Sequence, residues 1–161
     1  MRMNQPSEWE LHPQLAQDTL LVGDLALSQV LASRDAGYPW LILVPRRPDV
    51  SEIIDLSAAD QAVLMAEIAK VSVALRALTR CDKLNVANIG NMVAQLHVHI
   101  VARRRGDAAW PKPIWGAAPA QIYPSRVLEK FADDMRDAMG LARRMETAAQ
   151  DRTDLPPLEF S

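Results

Sequence analysis

Apolar and polar positions change their period several times along this chain, and each change marks an element. Residues 19–22 and 25–31 are two apolar runs separated by Gly23-Asp24. That pair can supply the positive φ values of a tight turn, so the two runs predict a β-hairpin. A turn over residues 33–37 leads to Trp40-Leu-Ile-Leu-Val44, which is continuously apolar and is stopped by Pro45-Arg-Arg-Pro48. A short branched run between breakers predicts a central strand buried on both faces. Over residues 57–80, Leu64, Ile68, Val71, Leu75 and Leu78 recur at helical spacing, and Ser57 with Asp60 resembles a capping box. Lys83–Ala87 and residues 96–102 predict two last strands, joined through Asn88-Ile-Gly-Asn91.

The flanks read differently. Residues 1–18 are polar with an interrupted apolar pattern of Trp9, Leu11 and Leu15, which predicts a short helix or an irregular arm. Beyond Arg105, Trp110-Pro-Lys-Pro-Ile-Trp115 is rigid, aromatic and irregular. From Ser125, the spacing of Leu128, Phe131, Met135, Met139 and Ala142 predicts a second amphipathic helix, and the polar tail from Asp151 is expected to be poorly ordered. The order of elements predicts an α+β fold: a mainly antiparallel sheet of about five strands, helices gathered on one side, and a C-terminal helical extension. Residues 1–105 form the domain proper, and residues 106–161 form the extension, packed on the same domain.

Composition narrows the function. A chain of 161 residues suits one domain, and a formal charge of −2 gives no electrostatic reason to expect nucleic acid or an anionic membrane as partner. Arg46-Arg47 and Arg103-Arg104-Arg105 read as solvated faces beside apolar runs. Cys81 is the only cysteine, so no internal disulfide can form, and an inert thiol in a reducing compartment is expected. The first ten residues hold no signal-type apolar stretch and no segment approaches membrane-spanning length, so the expected location is cytoplasmic.

The segment that could carry chemistry is Gln95-Leu-His97-Val-His99-Ile-Val101. On a strand, side chains alternate, so Gln95, His97 and His99 share one face and Leu96, Val98 and Ile100 the other. The apolar face can pack under the long helix. A neutral imidazole can attack phosphorus while its other nitrogen is held, and a neighbouring imidazole can stabilise the leaving group. Two other readings of the same spacing stand beside this one: an exposed strand face, and a pair of metal ligands. The metal reading lacks further ligands, because there is no second cysteine and His12 is the one remaining histidine. Upstream, the Asn88 and Asn91 amides, with main-chain N–H groups around Gly90, could hold phosphate oxygens.

With these residues in place, the sequence resembles the histidine-triad superfamily, whose signature is His-φ-His-φ-His-φ-φ with φ apolar. Residues 95–101 match every position except the first, where Gln95 stands. The likeness extends over residues 15–105, through the buried strand with its Pro45 exit, Asp55-Leu-Ser57 before the long helix, and the Gly90-Asn91 turn. The resemblance implies a HIT-like fold, a homodimer, and a bound nucleotide whose α-phosphate meets the triad. His97 would be the nucleophile and form a nucleotidyl-histidine. His99 would stabilise phosphate or leaving-group charge, and Gln95 would orient a ring or phosphate. Asn88, Gly90, Asn91 and Trp40 would contact the nucleotide. The implied substrates are dinucleoside polyphosphates or nucleoside phosphoramidates, with no cofactor required.

Gln95 cannot titrate, Trp40 falls where many members carry a further histidine, and Met92 replaces a common Ser or Thr. These departures motivate an alternative, a catalytically weak nucleotide-binding or sensor protein. The Trp110 to Trp115 stretch resembles that of a bacterial subgroup of HIT-domain hydrolases. It is expected to pack against the C-terminal helix, or else to cover the pocket or stack a base.

Overall fold

The computed structural model describes residues 8–142, and expectations for the tail beyond Asp151 lie outside them. Five strands form one antiparallel sheet in the order β1-β2-β3-β5-β4, with β1 Thr19–Asp24, β2 Ser28–Ser33, β3 Trp40–Pro45, β4 Lys83–Ala87 and β5 Val98–Arg103. Three α-helices accompany it: α1 Pro13–Asp18, α2 Ala58–Thr79 and α3 Val127–Ala138.

Register divides the sheet into two faces. Val30 lies across from Leu43, and Leu41 from Ile100, and these residues share the main apolar core with Val71 and Leu75 of α2 and Leu128, Ala132 and Met135 of α3. On the other face Leu31 pairs with Ile42 and Ile42 with His99, while Leu15 of α1 packs against Leu31, Ile42 and Val44. The helices are therefore not all on one side. The two long ones share a face, and α1 lies on the opposite one, beside the histidines. β3 is the middle strand and is buried on both faces, as its continuous apolar run requires.

The ends of α2 follow local chemistry. Ser57 accepts from the Asp60 N–H at 3.1 Å, and Arg80 closes the helix in the left-handed region with φ 50°. The Asp60 carboxylate is engaged elsewhere, by the Arg47 guanidinium at 2.7 Å. That pair holds Asp60 below the usual carboxylate range.

Two expectations are corrected. Gly23-Asp24 is not the hairpin turn. Both residues continue β1 around a bulge, and the chain reverses at residues 25–27. The buried carboxylate of Glu67 on α2 accepts from the Leu27 and Ser28 N–H groups at 2.7 and 3.1 Å. Arg46 donates to the Leu25 and Ala26 carbonyls at 2.6 and 3.0 Å. Long-range partners thus hold a turn that has no glycine. Nor is the second arginine run a solvated face throughout: Arg104 and Arg105 are exposed, but Arg103 is only 1% exposed. It pairs with Asp107 at 2.7 Å, donates to Asn85 at 2.7 Å, and lies over the Tyr38 and Trp110 rings.

The extension divides in two. Residues 127–138 put Leu128, Ala132 and Met135 into the main core, and Arg136 donates at 2.7 Å to the Val22 carbonyl at the β1 bulge. The aromatic stretch before it does not pack on α3. Ala109 and Ile114 join Tyr38 and Val101 in a separate cluster against the sheet, with Trp40 and Trp115 at its border.

Candidate functional site

On the α1 face of the sheet, a cavity of about 290 Å³ opens above β3 and the start of β5. His97, His99, Trp40, Ile42 and Trp115 line it from the sheet side, Gly90, Asn91, Met92 and Val93 from the loop after β4, and Gln14, Leu15 and Asp18 from α1. Four of its rings form a cluster. His97 and His99 have centroids 4.8 Å apart, and Trp40 and Trp115 lie 5.4 and 5.2 Å from His99.

The hydrogen bonds of the two histidines fix their proton positions. His97 Nδ1 lies 2.7 Å from the Gln95 carbonyl oxygen, which can only accept. In the neutral ring Nδ1 therefore carries the proton, and Nε2 is left with a free lone pair. The indole N–H of Trp40 donates to His99 Nδ1 at 3.1 Å, so the His99 proton is on Nε2. Burial, and secondarily the neighbouring His97, lower the His99 pKa from 6.5 to about 4. His99 is thus a neutral N–H donor near neutral pH, beside a histidine with the opposite tautomer.

Of the residues singled out from the sequence, His97, His99, Gly90, Asn91 and Trp40 meet at this cavity. Gly90 adopts φ 70°, which glycine tolerates without strain, and brings the loop to the rim. Asn88 does not line the cavity. Gln95 does not line the cavity; it stands ahead of the β5 ladder, which begins at Val98, and the Leu96 N–H next to it bonds to the Val50 carbonyl at 2.9 Å. The ring-orienting part expected of Gln95 falls to its main-chain carbonyl. Its side chain bonds to the Glu10 carbonyl and the His12 N–H.

Sequence reasoning missed the α1 wall and Ser33, which also borders the cavity. A signal existed for part of this: Gln14 and Asp18 are four residues apart, and Gln14 Nε2 donates to Asp18 Oδ2 at 2.8 Å. No Lys or Arg is among the residues that line the cavity. An anion there would be met by neutral donors, the His99 Nε2–H and the amides around Asn91. Among the described residues, no cluster of three His, Cys, Asp or Glu side chains is placed to hold a metal ion, and no helix is long and apolar enough to cross a membrane.

Comparison with known proteins identifies the fold. The HIT domain family model matches residues 14–106. A histidine triad protein from Bradyrhizobium japonicum is 53% identical with a TM-score of 0.81, and the match covers 83% of this chain and 99% of that one. A histidine triad protein from Sinorhizobium meliloti is 39% identical, with a TM-score of 0.78 over 81% and 96% of the two chains. One from Marinobacter aquaeolei is 37% identical, with a TM-score of 0.80 over 83% and 98%. No curated protein matches the sequence closely enough to count as a relative.

Proposed function

The chain belongs to the HIT domain family, and from that premise we propose that it is a nucleotide-phosphate hydrolase or nucleotidyl transferase acting through His97. The observation that carries this reading is the pair of opposite tautomers. His97 presents an unprotonated Nε2, held in place through Nδ1, and His99 beside it is a neutral donor.

In the proposed reaction, the His97 Nε2 lone pair attacks the α-phosphorus of a bound nucleotide. A phosphorus–nitrogen bond forms, the bond to the leaving group breaks, and the leaving group departs with its electron pair and takes a proton from water. A second water or another acceptor then attacks phosphorus, releases Nε2 and passes its proton to solvent. The His99 Nε2–H and the amides around Gly90 and Asn91 would stabilise charge on the phosphate oxygens. The apolar wall of Leu15, Ile42 and Val93 suits the nucleoside, while Trp40 and Trp115 flank the reacting end. Substrates would be dinucleoside polyphosphates or nucleoside phosphoramidates. The scheme assigns its catalytic roles to groups of the chain and invokes no cofactor. β4 pairs on one side only, with β5, and this open edge is where the proposed homodimer would extend the sheet.

The test is turnover of an adenosine phosphoramidate, a dinucleoside polyphosphate and a nucleoside diphosphate sugar by wild type and His97→Asn. Loss of at least about 10³-fold in the variant, with nucleotide still bound, is the expected result. Full activity in the variant would rule the mechanism out. Binding by wild type without turnover would favour the sensor reading, for which the engaged Gln95 carboxamide and Met92, 97% exposed at the cavity, are the supporting observations.

A further inference from the structure

We infer that Gln95 is a positioning residue whose carboxamide latches the N-terminal segment, so that α1 stands as a wall of the cavity and sets ligand affinity. The part that concerns affinity rests on the nucleotide-binding reading above. The latch itself does not.

The latch is a pair of bonds to main chain far away in sequence. Gln95 Nε2 donates to the Glu10 carbonyl at 2.8 Å, and Oε1 accepts from the His12 N–H at 2.9 Å. One planar amide thereby engages a C=O and an N–H two residues apart, much as a neighbouring β-strand would. An imidazole has one donor and one acceptor too, but they diverge from opposite edges of the ring. Those of a carboxamide lie side by side, so the residue that departs from the triad pattern is the one that fits this task.

From the latch, contacts run directly to the cavity. His12 is the N-cap of α1, and its Nδ1 accepts from the Gln14 N–H at 3.1 Å. α1 then supplies Gln14, Leu15 and Asp18 to the lining. A helix of 6 residues is too short to be stable unaided, so its place depends on what anchors it. Leu15, with Trp9 and Leu11, provides apolar contact against the sheet, and Gln95 provides the directional part. The main-chain carbonyl of Gln95 separately holds His97 Nδ1, so truncating the side chain leaves the nucleophile's tautomer in place. A change at Gln95 should therefore act on ligand affinity and not on the chemical step.

The experiment compares full-length wild type with Gln95→Ala, Gln95→Glu and Gln95→His by amide hydrogen exchange, AMP binding calorimetry and steady-state kinetics. In Gln95→Ala, exchange over residues 10–18 is expected to rise about tenfold or more while β3 and β5 amides keep wild-type rates. The AMP Kd and the substrate KM should both rise about 5- to 20-fold with kcat within about twofold, the split that marks lost binding and not lost chemistry. Gln95→Glu keeps the acceptor for His12 N–H but loses the donor to Glu10, so its exchange should fall between the two. Unchanged exchange over residues 10–18 in Gln95→Ala overturns the latch, whatever the enzyme's activity. A rise in kcat in Gln95→His without faster exchange overturns it as well, because the position would then act in proton handling. If exchange accelerates but wild type binds no AMP, the latch stands and the nucleotide reading falls.

Discussion

His97 and His99 are chemically identical side chains two positions apart, and different acceptors and donors separate their roles. A carbonyl facing Nδ1 forces the proton there in His97, and an indole N–H facing Nδ1 forces it to Nε2 in His99. Trp40 therefore does more than fill space, since its N–H favours both the neutral form of His99 and one tautomer of it. Trp40→Phe keeps an aromatic ring but removes the donor. In imidazole nitrogen and carbon NMR titrations, both neutral tautomers of His99 should be seen, while its pKa stays below 6.5 because burial and His97 are what lower it. Nε2–H alone in the variant would sink this account. The same shift governs acid stability. The folded state binds the His99 proton less readily than the unfolded chain, so that stability is complete above pH 6.5 and falls as pH drops towards 4. The total loss is on the order of 3 kcal/mol. Urea titrations of the wild type at stepped pH would measure that loss, and a stability that stays flat between pH 6.5 and 4 would overturn it.

Elements in this chain are legible in proportion to how local their determinants are. The boundaries of α2 follow from an apolar period and a Ser57 cap that lie within the segment itself. The β1–β2 turn could not be read in the same way, because its N–H groups are satisfied by Glu67 and its carbonyls by Arg46, both far along the chain. Glu67→Ala would leave two buried N–H groups without their charged acceptor. Urea unfolding should show a loss of about 3 kcal/mol, against about 1 kcal/mol for the exposed cap variant Ser57→Ala. Equal losses from the two would show that the turn does not depend on Glu67. The same reasoning explains the site. Alternation correctly put His97 and His99 together, but it could not show that the Gln95 side chain is taken up by Glu10 and His12, more than eighty residues back, and so stays out of the cavity lining. Arg103 misled for a similar reason. Nothing next to it in sequence announces Asn85, Tyr38 and Trp110 as its buried surroundings.

At the scale of the whole molecule, the sheet is a partition with unlike neighbours on its two sides. α2 and α3 bury one face in a continuous apolar core, while the other carries the cavity, α1 and the Trp110 to Trp115 stretch. The family match ends at residue 106, yet the core does not. Met135 is 0% exposed among residues of β1, β3 and α2, and Arg136 reaches the carbonyl that the β1 bulge frees. α3 therefore closes the face that leaves the histidine side free for ligand, and it should not unfold independently of the sheet. Met135→Ala removes a fully enclosed side chain, so urea titration should show a loss of about 2–5 kcal/mol. Far-UV circular dichroism, dominated by the two long helices on this face, and fluorescence of the tryptophans on the far one should still follow a single shared transition. A separate early transition seen by dichroism alone, with fluorescence unmoved, would mean that α3 is an appendage and that the sheet keeps its site without it.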